Sequence, residues 1–261
     1  MTLDSEGFEI NRWHSPQYVA SWMTDQTREA VRKSLRVKLV SFLPFEPAVP
    51  VRVLDLGAGT GSLSLEILGR YPHVHLVCQD FSEAMLAHAR QHLLPFSTQV
   101  TFVKSDLRDP EWTRVIEGKF DAVVSSLVMH TIPDRVKEIY RDIFDLIKSG
   151  GCFLSGDTIA APGPMLAEIY LKSRLLAYQT AMKAETGVEK SLAEIEQELR
   201  GRRRNPSPDS PDRERNPLRG TLTLVNHLEW LRQAGFAEVD CLWKDIRHAI
   251  VGGVKHSGSG Q

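Results

Sequence analysis

A chain of 261 residues, 42% hydrophobic and 25% charged, holds enough apolar material for one large α/β domain or a domain with an insert. A formal net charge of −1 creates no global field that would demand nucleic acid or a membrane surface. No apolar run reaches the roughly 18 residues a membrane span needs, and the polar, acidic start does not read as a signal peptide. Cys78, Cys152 and Cys241 lie far apart in strand-like runs, without ligand spacing. They predict reduced core thiols of a cytoplasmic protein rather than disulfides or a metal site.

Residues 1–48 read as an N-terminal helical cover. Ser15-Pro16 predicts a helix start, Ser15 as N-cap and Pro16 at the first helical position. Apolar residues at helical spacing run from Val19 to Leu43, with a break expected near Thr24-Asp25, and Pro44, Pro47 and Pro50 end the run. Trp13 and Tyr18 are candidates for a lid, and His14 for a base.

Val51-Arg-Val-Leu-Asp-Leu-Gly-Ala-Gly-Thr-Gly61 then predicts a short strand, a tight turn with glycine at every second position, and a helix from about Ser62 to Arg70. Gly57, Gly59 and Gly61 let the backbone bend and let a ligand approach the main chain, with free helix N–H groups facing it. The dinucleotide pattern G-x-G-x-x-G would need glycine at position 62, where this chain has Ser62. Asp55 two residues before Gly57, with the alternating glycines, resembles motif I of the class I S-adenosylmethionine (SAM) methyltransferases. That resemblance implies SAM as cofactor, held around Asp55, Gly57, Ala58, Gly59 and Gly61. The zwitterionic tail of SAM suits an acid near its ammonium and free N–H groups near its carboxylate. The alternative is a purely structural strand–helix turn.

A second strand, Val74–Asp80, ends in an acid that either accepts the two hydroxyls of a ribose or caps the following helix. Phe81 could lie against a flat base, and Met85 sits on the next helix. The third strand, Gln99–Lys104, leads to Asp106 and Leu107. In the resembling family these positions meet the adenine amino group and ring; the alternative for Asp106 is a solvent-facing turn. The fourth strand, Phe120–Ser125, runs into Ser126-Leu-Val-Met-His-Thr-Ile-Pro-Asp134. This is similar to the family's segment near the sulfonium, and Ser125 joins the expected cofactor contacts. His130 either packs as a hydrogen-bonded histidine or faces cofactor or substrate. Asp134 is expected to cap a helix over 135–148, stopped by Gly150-Gly151, before a fifth strand from Cys152 to Asp157. His130, Asp157 and His14 are the candidate catalytic bases.

The resemblance spans about residues 50–158, within a core domain expected over 49–158, and implies a Rossmann-like seven-stranded sheet with helices on both faces. The chain lacks the Pro-Pro-aromatic and Pro-Cys motifs of nucleobase methyltransferases, so base methylation is not expected. Residues 159–222 break the strand–helix alternation. Met165–Lys183 predicts an amphipathic helix, and Ser191 with Glu194 a capping box opening a second helix to about Arg200. The Arg200–Gly220 stretch carries seven Arg, three acids and four Pro. In the resembling family such inserts roof the substrate pocket. Its arginines suit a solvated loop, an anionic substrate or an RNA backbone, although nucleic acid is not favoured by the near-zero charge. Residues 223–255 predict a Thr223-capped helix and a β-hairpin that complete the core, before a polar tail.

The fold and SAM, with transfer to a small-molecule acceptor by a monomer or homodimer, are the resulting expectations. A more distant resemblance is to the carboxy-SAM synthases, which convert SAM with prephenate. It rests on the order of elements after the fifth strand, with Arg213 or Arg215 nearest that family's carboxylate-binding arginine. Gly57-Ala58-Gly59 departs from its usual Gly-Cys-Ser turn.

Overall fold

The computed structural model describes Trp13, Ser15, Val19, residues 26–204 and residues 222–256. His14, Tyr18, the Thr24-Asp25 break, Arg213 and Arg215 lie outside the described residues.

Seven strands form one sheet in the order β3-β2-β1-β4-β5-β7-β6. They are β1 (Val51–Leu56), β2 (Val74–Asp80), β3 (Val100–Lys104), β4 (Phe120–Ser126), β5 (Ile147–Thr158), β6 (Ala237–Asp245) and β7 (His248–Val254). The first five are parallel. β7 inserts antiparallel between β5 and β6. The chain reverses strand order between β1 and β4, and their C-terminal ends open the crevice where ligands of such sheets bind.

Two cores sandwich the sheet because alternate residues of each central strand face opposite sides. One contains Val53, Val124 and Leu154 with α1 (Gln26–Ser41) and α2 (Ser62–Arg70). The other contains Leu54, Val123 and Phe153 with α4 (Val136–Leu146) and α7 (Leu224–Ala234). Helix α3 (Glu83–His92) packs on β2 and β3 and buries Met85, Leu86 and Ala89.

Several expectations shift in detail. Ile147 already pairs with Phe120, so β5 begins within the stretch expected to be helical and runs through the expected glycine stop. The irregularity needed to start early sits between Phe120 and Ala122, and Gly150 takes φ +82°. Asp134 caps nothing: Pro133–Arg135 forms a short 3-10 turn, and α4 starts without a side-chain cap. Helix α5 (Pro164–Thr186) is present, but of its apolar residues Met165, Ile169 and Leu176 stay exposed and Leu175 is buried. It packs chiefly on α6 (Leu192–Arg204), so its apolar positions do not form the core-facing stripe expected. Cys78 and Cys152 are buried thiols, whereas Cys241 is half-buried on β6.

The insert starts and ends at one place. Ala160 and Thr223 form an isolated bridge, and the Ala160 N–H donates to the Leu222 carbonyl at 2.7 Å. Thr223 then caps α7 in a reciprocal box with Asn226, and Ser191 and Glu194 form the expected box at α6.

Candidate active site

The turn between β1 and α2 is built by three glycines with φ of +66°, +55° and +80°, a region that L-residues other than glycine rarely adopt. Their surroundings differ. A Cβ on Gly57 would lie 2.4 Å from Val128 Cγ2, and one on Gly61 would lie 3.0 Å from Leu93 Cδ1. At Gly59 the nearest atom is the Gly57 carbonyl oxygen at 4.0 Å, so this side of the turn is open. Gly57 and Gly61 serve packing; Gly59 presents bare backbone to the crevice. Ala58 is buried, its N–H donating to the Gln79 carbonyl at 2.8 Å.

Asp80 ends β2 against this turn. The Gly59 N–H donates to its Oδ2 and the Ser82 N–H to its Oδ1, both at 2.9 Å. Burial pushes its pKa up to about 6, opposed by the N–H groups of Ser82, Gly59 and Phe81. The helix cap is Ser82, whose Oγ accepts from the Met85 N–H. Ser82 Oγ also donates to the carbonyl of Trp13, which ties the N-terminal segment to this side of the crevice.

Asp55 lies beneath the turn and is 1% exposed. Ser64 Oγ donates to its Oδ2 at 2.7 Å and sits 3.1 Å from Cys78 Sγ. The acid therefore braces α2 against β2 and acts on the crevice through its field rather than as an open contact. Burial pushes it up to about 7; the Ser64 hydroxyl opposes this and the charge of Asp80 adds to it. A carboxyl raised on folding costs nothing below its unfolded value near 3.8; its penalty grows as pH rises from there to the folded value and is constant above it. Asp55→Asn is therefore expected to stabilise the ligand-free protein at pH 8 by on the order of 2–4 kcal/mol, with little effect at pH 4. Thermal unfolding at the two pH values measures this; equal shifts at both would show that Asp55 is not strained by its charge.

At the far end of the crevice Asp106 meets Arg108, a residue the sequence reading missed. Arg108 Nη2 lies 2.5 Å from Asp106 Oδ2, and its Nε lies 3.0 and 3.1 Å from the two oxygens. The same guanidinium stands 5.7 Å from the Phe81 ring centroid. The Arg108 guanidinium thus stands between Phe81 and Asp106 at this end of the crevice. Leu107 and Met85 are buried in the packing behind it. Ser125 faces inward and donates to the Leu56 carbonyl at 3.1 Å, a bond between strands.

His130 and Asp157, named separately in the sequence, are in contact. Leu127 takes φ +60° after β4, and its N–H donates to the Gly156 carbonyl at 2.8 Å. The following 3-10 turn, Met129–Thr131, brings His130 Nδ1 within 2.5 Å of Asp157 Oδ1. The His130 main-chain N–H reaches Oδ2 at 3.3 Å. Asp157 is fully buried; burial alone would raise its pKa, but His130 beside it brings the carboxyl below the usual carboxylate value. An ionised Asp157 only accepts, so it places the imidazole proton on Nδ1 and leaves Nε2 as a proton acceptor. Behind the pair, Tyr140 Oη lies 2.6 Å from Nδ1 of the buried His227. Sequence position could not show this, because the four residues come from a loop, β5, α4 and α7.

Residues 53–151 match a family described as Methyltransferase domain. Over those residues the chain is similar to the class I SAM-dependent methyltransferases. A malonyl-[acyl-carrier protein] O-methyltransferase of Geobacter sulfurreducens is 36% identical over 97 residues, 37% of this chain and 35% of that protein. A carboxy-S-adenosyl-L-methionine synthase of Nautilia profundicola is 24% identical over 74% of this chain and 72% of its own length. The solved structure titled PigF with SAH superposes with a TM-score of 0.62 at 20% identity, covering 97% of this chain and 63% of that one. The chain thus spans about a third of the Geobacter protein and under two thirds of PigF, and the structural likeness establishes the fold. The methyltransferase crevice fits SAM on its own geometry: an open backbone face at Gly59, an acid beside it at Asp80, and an aromatic edge at Phe81. Among the described residues, no helix is long and apolar enough to cross a membrane.

Proposed function

We propose that this methyltransferase transfers the methyl group of SAM to an oxygen or acidic carbon of a small-molecule acceptor. The contact between His130 and Asp157 carries the reading, because a nucleophile that must lose a proton needs a base, and this pair supplies one at the ends of β4 and β5. Bound SAM would supply an electrophilic methyl on a sulfonium that departs as a neutral thioether. Asp80 would hold the ribose, the Gly59 backbone would admit the cofactor, and Phe81 with Asp106 would meet the base. His130 Nε2 would take the acceptor's proton. Asp157 holds the imidazole in the accepting tautomer and stabilises the imidazolium. The malonyl-[acyl-carrier protein] O-methyltransferase relative supports oxygen as the accepting atom.

The carboxy-SAM synthase relative supports a second reading, since that similarity extends over 74% of this chain. Mass spectrometry of the small molecule released when the freshly purified protein is denatured separates the two. SAM or S-adenosylhomocysteine is the expected product. A mass matching carboxy-SAM would replace methyl transfer with the second reading. Neither mass, together with no SAM binding by calorimetry, would overturn the cofactor assignment.

A further inference from the structure

In the β6–β7 ladder Trp243 stands opposite Ile250 and Asp245 opposite His248. Residues directly opposite in an antiparallel pair share a face, and so do alternate residues of one strand. Ile250 belongs to the core beneath α1, so Trp243, Asp245 and His248 face α1 as well. Helix α1 presents Val31, Ser34 and Leu35 to them at positions i, i+3 and i+4, one side of a helix. A cavity of about 270 Å³ lies between the helix and the hairpin, lined by these six residues. It is a slot with an indole on one wall and two aliphatic side chains on the other. Val31 is 50% exposed, apolar surface that the fold itself leaves uncovered.

Both walls meet β5 beside Asp157. His248 is opposite Thr158, the residue after Asp157, in the β5–β7 ladder. Leu35 packs on Gly156, the residue before it, where a Cβ would lie 3.1 Å from Leu35 Cγ. The charges of Asp157 and His130 both act on the His248 ring. Burial and the neighbouring Arg247 hold the His248 pKa below its ordinary value, against the pull of Asp157 and Asp245, so the ring is neutral at pH 7. Asp245, which is exposed, is then the charged residue of the lining. Lys244 points to the other face of β6. Its Nζ donates to Tyr170 Oη at 2.9 Å and stands 4.8 Å from that ring, which fastens the insert helix α5 to the hairpin.

We infer that this slot binds the methyl acceptor, and that the acceptor is a flat, uncharged aromatic compound with a hydrogen-bond donor remote from the group that is methylated. The inference deepens the methyl-transfer reading above and rests on it. A flat ring is what fits between the Trp243 indole and the Val31 and Leu35 side chains. Ionised Asp245 only accepts, so it selects a donor at the ligand's far end. A carboxylate or phosphate there would face Asp245 with no cation in the lining to offset the repulsion. A ring held in this way lies across the end of β5, with its reacting hydroxyl toward His130.

The test measures three probes by calorimetry with saturating S-adenosylhomocysteine. They are 2,7-dihydroxynaphthalene, 7-methoxy-2-naphthol, whose distal donor is capped, and 7-hydroxy-2-naphthoic acid, whose distal group is an anion. Wild type is expected to bind the diol roughly 10-fold more tightly than either of the others. Asp245→Asn, an exposed change that leaves the core intact, is expected to weaken the diol and strengthen the acid until the two differ by less than about threefold. Trp243→Leu is expected to weaken all three by roughly 10-fold. A wild type that binds the three equally, or binds none of them, would overturn the inference, as would an Asp245→Asn variant that keeps the wild-type preference. S-adenosylhomocysteine is titrated alone first. If it binds and the naphthol series fails, the slot assignment falls and the cofactor reading stands. If it does not bind, the cofactor reading falls and this inference with it.

Discussion

Asp80→Ala is expected to weaken SAM binding by about 2–4 kcal/mol, equivalent to roughly 30- to 1,000-fold in Kd. The carboxylate does two jobs. Its oxygens fix the turn through the Gly59 and Ser82 N–H groups. Each oxygen keeps a further lone pair, so both can also accept from ribose hydroxyls. On the proposed cofactor placement alanine removes two charge-assisted ribose bonds, and it frees the Gly59 N–H. Asp80→Asn keeps the shape but offers one accepting oxygen, and should fall between wild type and Ala. The pH dependence follows from the raised pKa. In the ligand-free protein Asp80 gains a proton as pH drops through about 6, so affinity should fall below that value in wild type and stay flat in the alanine variant. Calorimetry across pH 5–8 measures both effects. Unchanged affinity in Asp80→Ala would remove this residue from the cofactor site.

The sheet and the turn were legible in the sequence because both are local patterns. The central parallel strands β1, β2 and β4 are buried on two faces and so appear as short continuous apolar runs. The glycines of 57–61 stand at consecutive odd positions, a signal that side-chain sterics alone explain. What was hidden depends on contacts between distant segments. Asp157 and His130 are 27 residues apart, and their pairing follows from a left-handed turn at Leu127 that no residue type announces. Arg108 stands two residues after Asp106, and its position over Phe81 requires β2 and β3 to be adjacent. The early start of β5 was masked by Gly150-Gly151, which read as a helix stop but lie within the strand. Asp55 was legible only in part. Its type and spacing gave the correct motif, while its depth beneath the turn could only come from the packing of Ser64 and Cys78.

Asp157→Asn is expected to lower kcat by roughly 10²- to 10⁴-fold once an acceptor is identified, with SAM affinity within about threefold of wild type. The reasoning is one of tautomers. Ionised Asp157 can only accept, so His130 must present Nδ1–H to it and keep Nε2 free for the acceptor's proton. An asparagine can donate its amide N–H to Nδ1, which shifts the ring proton to Nε2 and blocks the base. His130→Gln removes the base itself, so kcat should fall in that variant as well. Asp157 stays charged as the pH drops. Its pKa lies below the unfolded value because His130 offsets the cost of burial, so it is ionised through the working range. By the same sign, the stability it contributes is present above about pH 4 and is lost as pH falls further. Asp157→Asn should therefore lower the melting temperature at neutral pH and much less in strong acid. Turnover within threefold of wild type in both variants, with an unaltered pH profile, would mean that the acceptor reaches the methyl group already deprotonated, as a thiolate or a free amine would. His130 would then be a packing residue, and acceptor screening should turn away from hydroxyl groups.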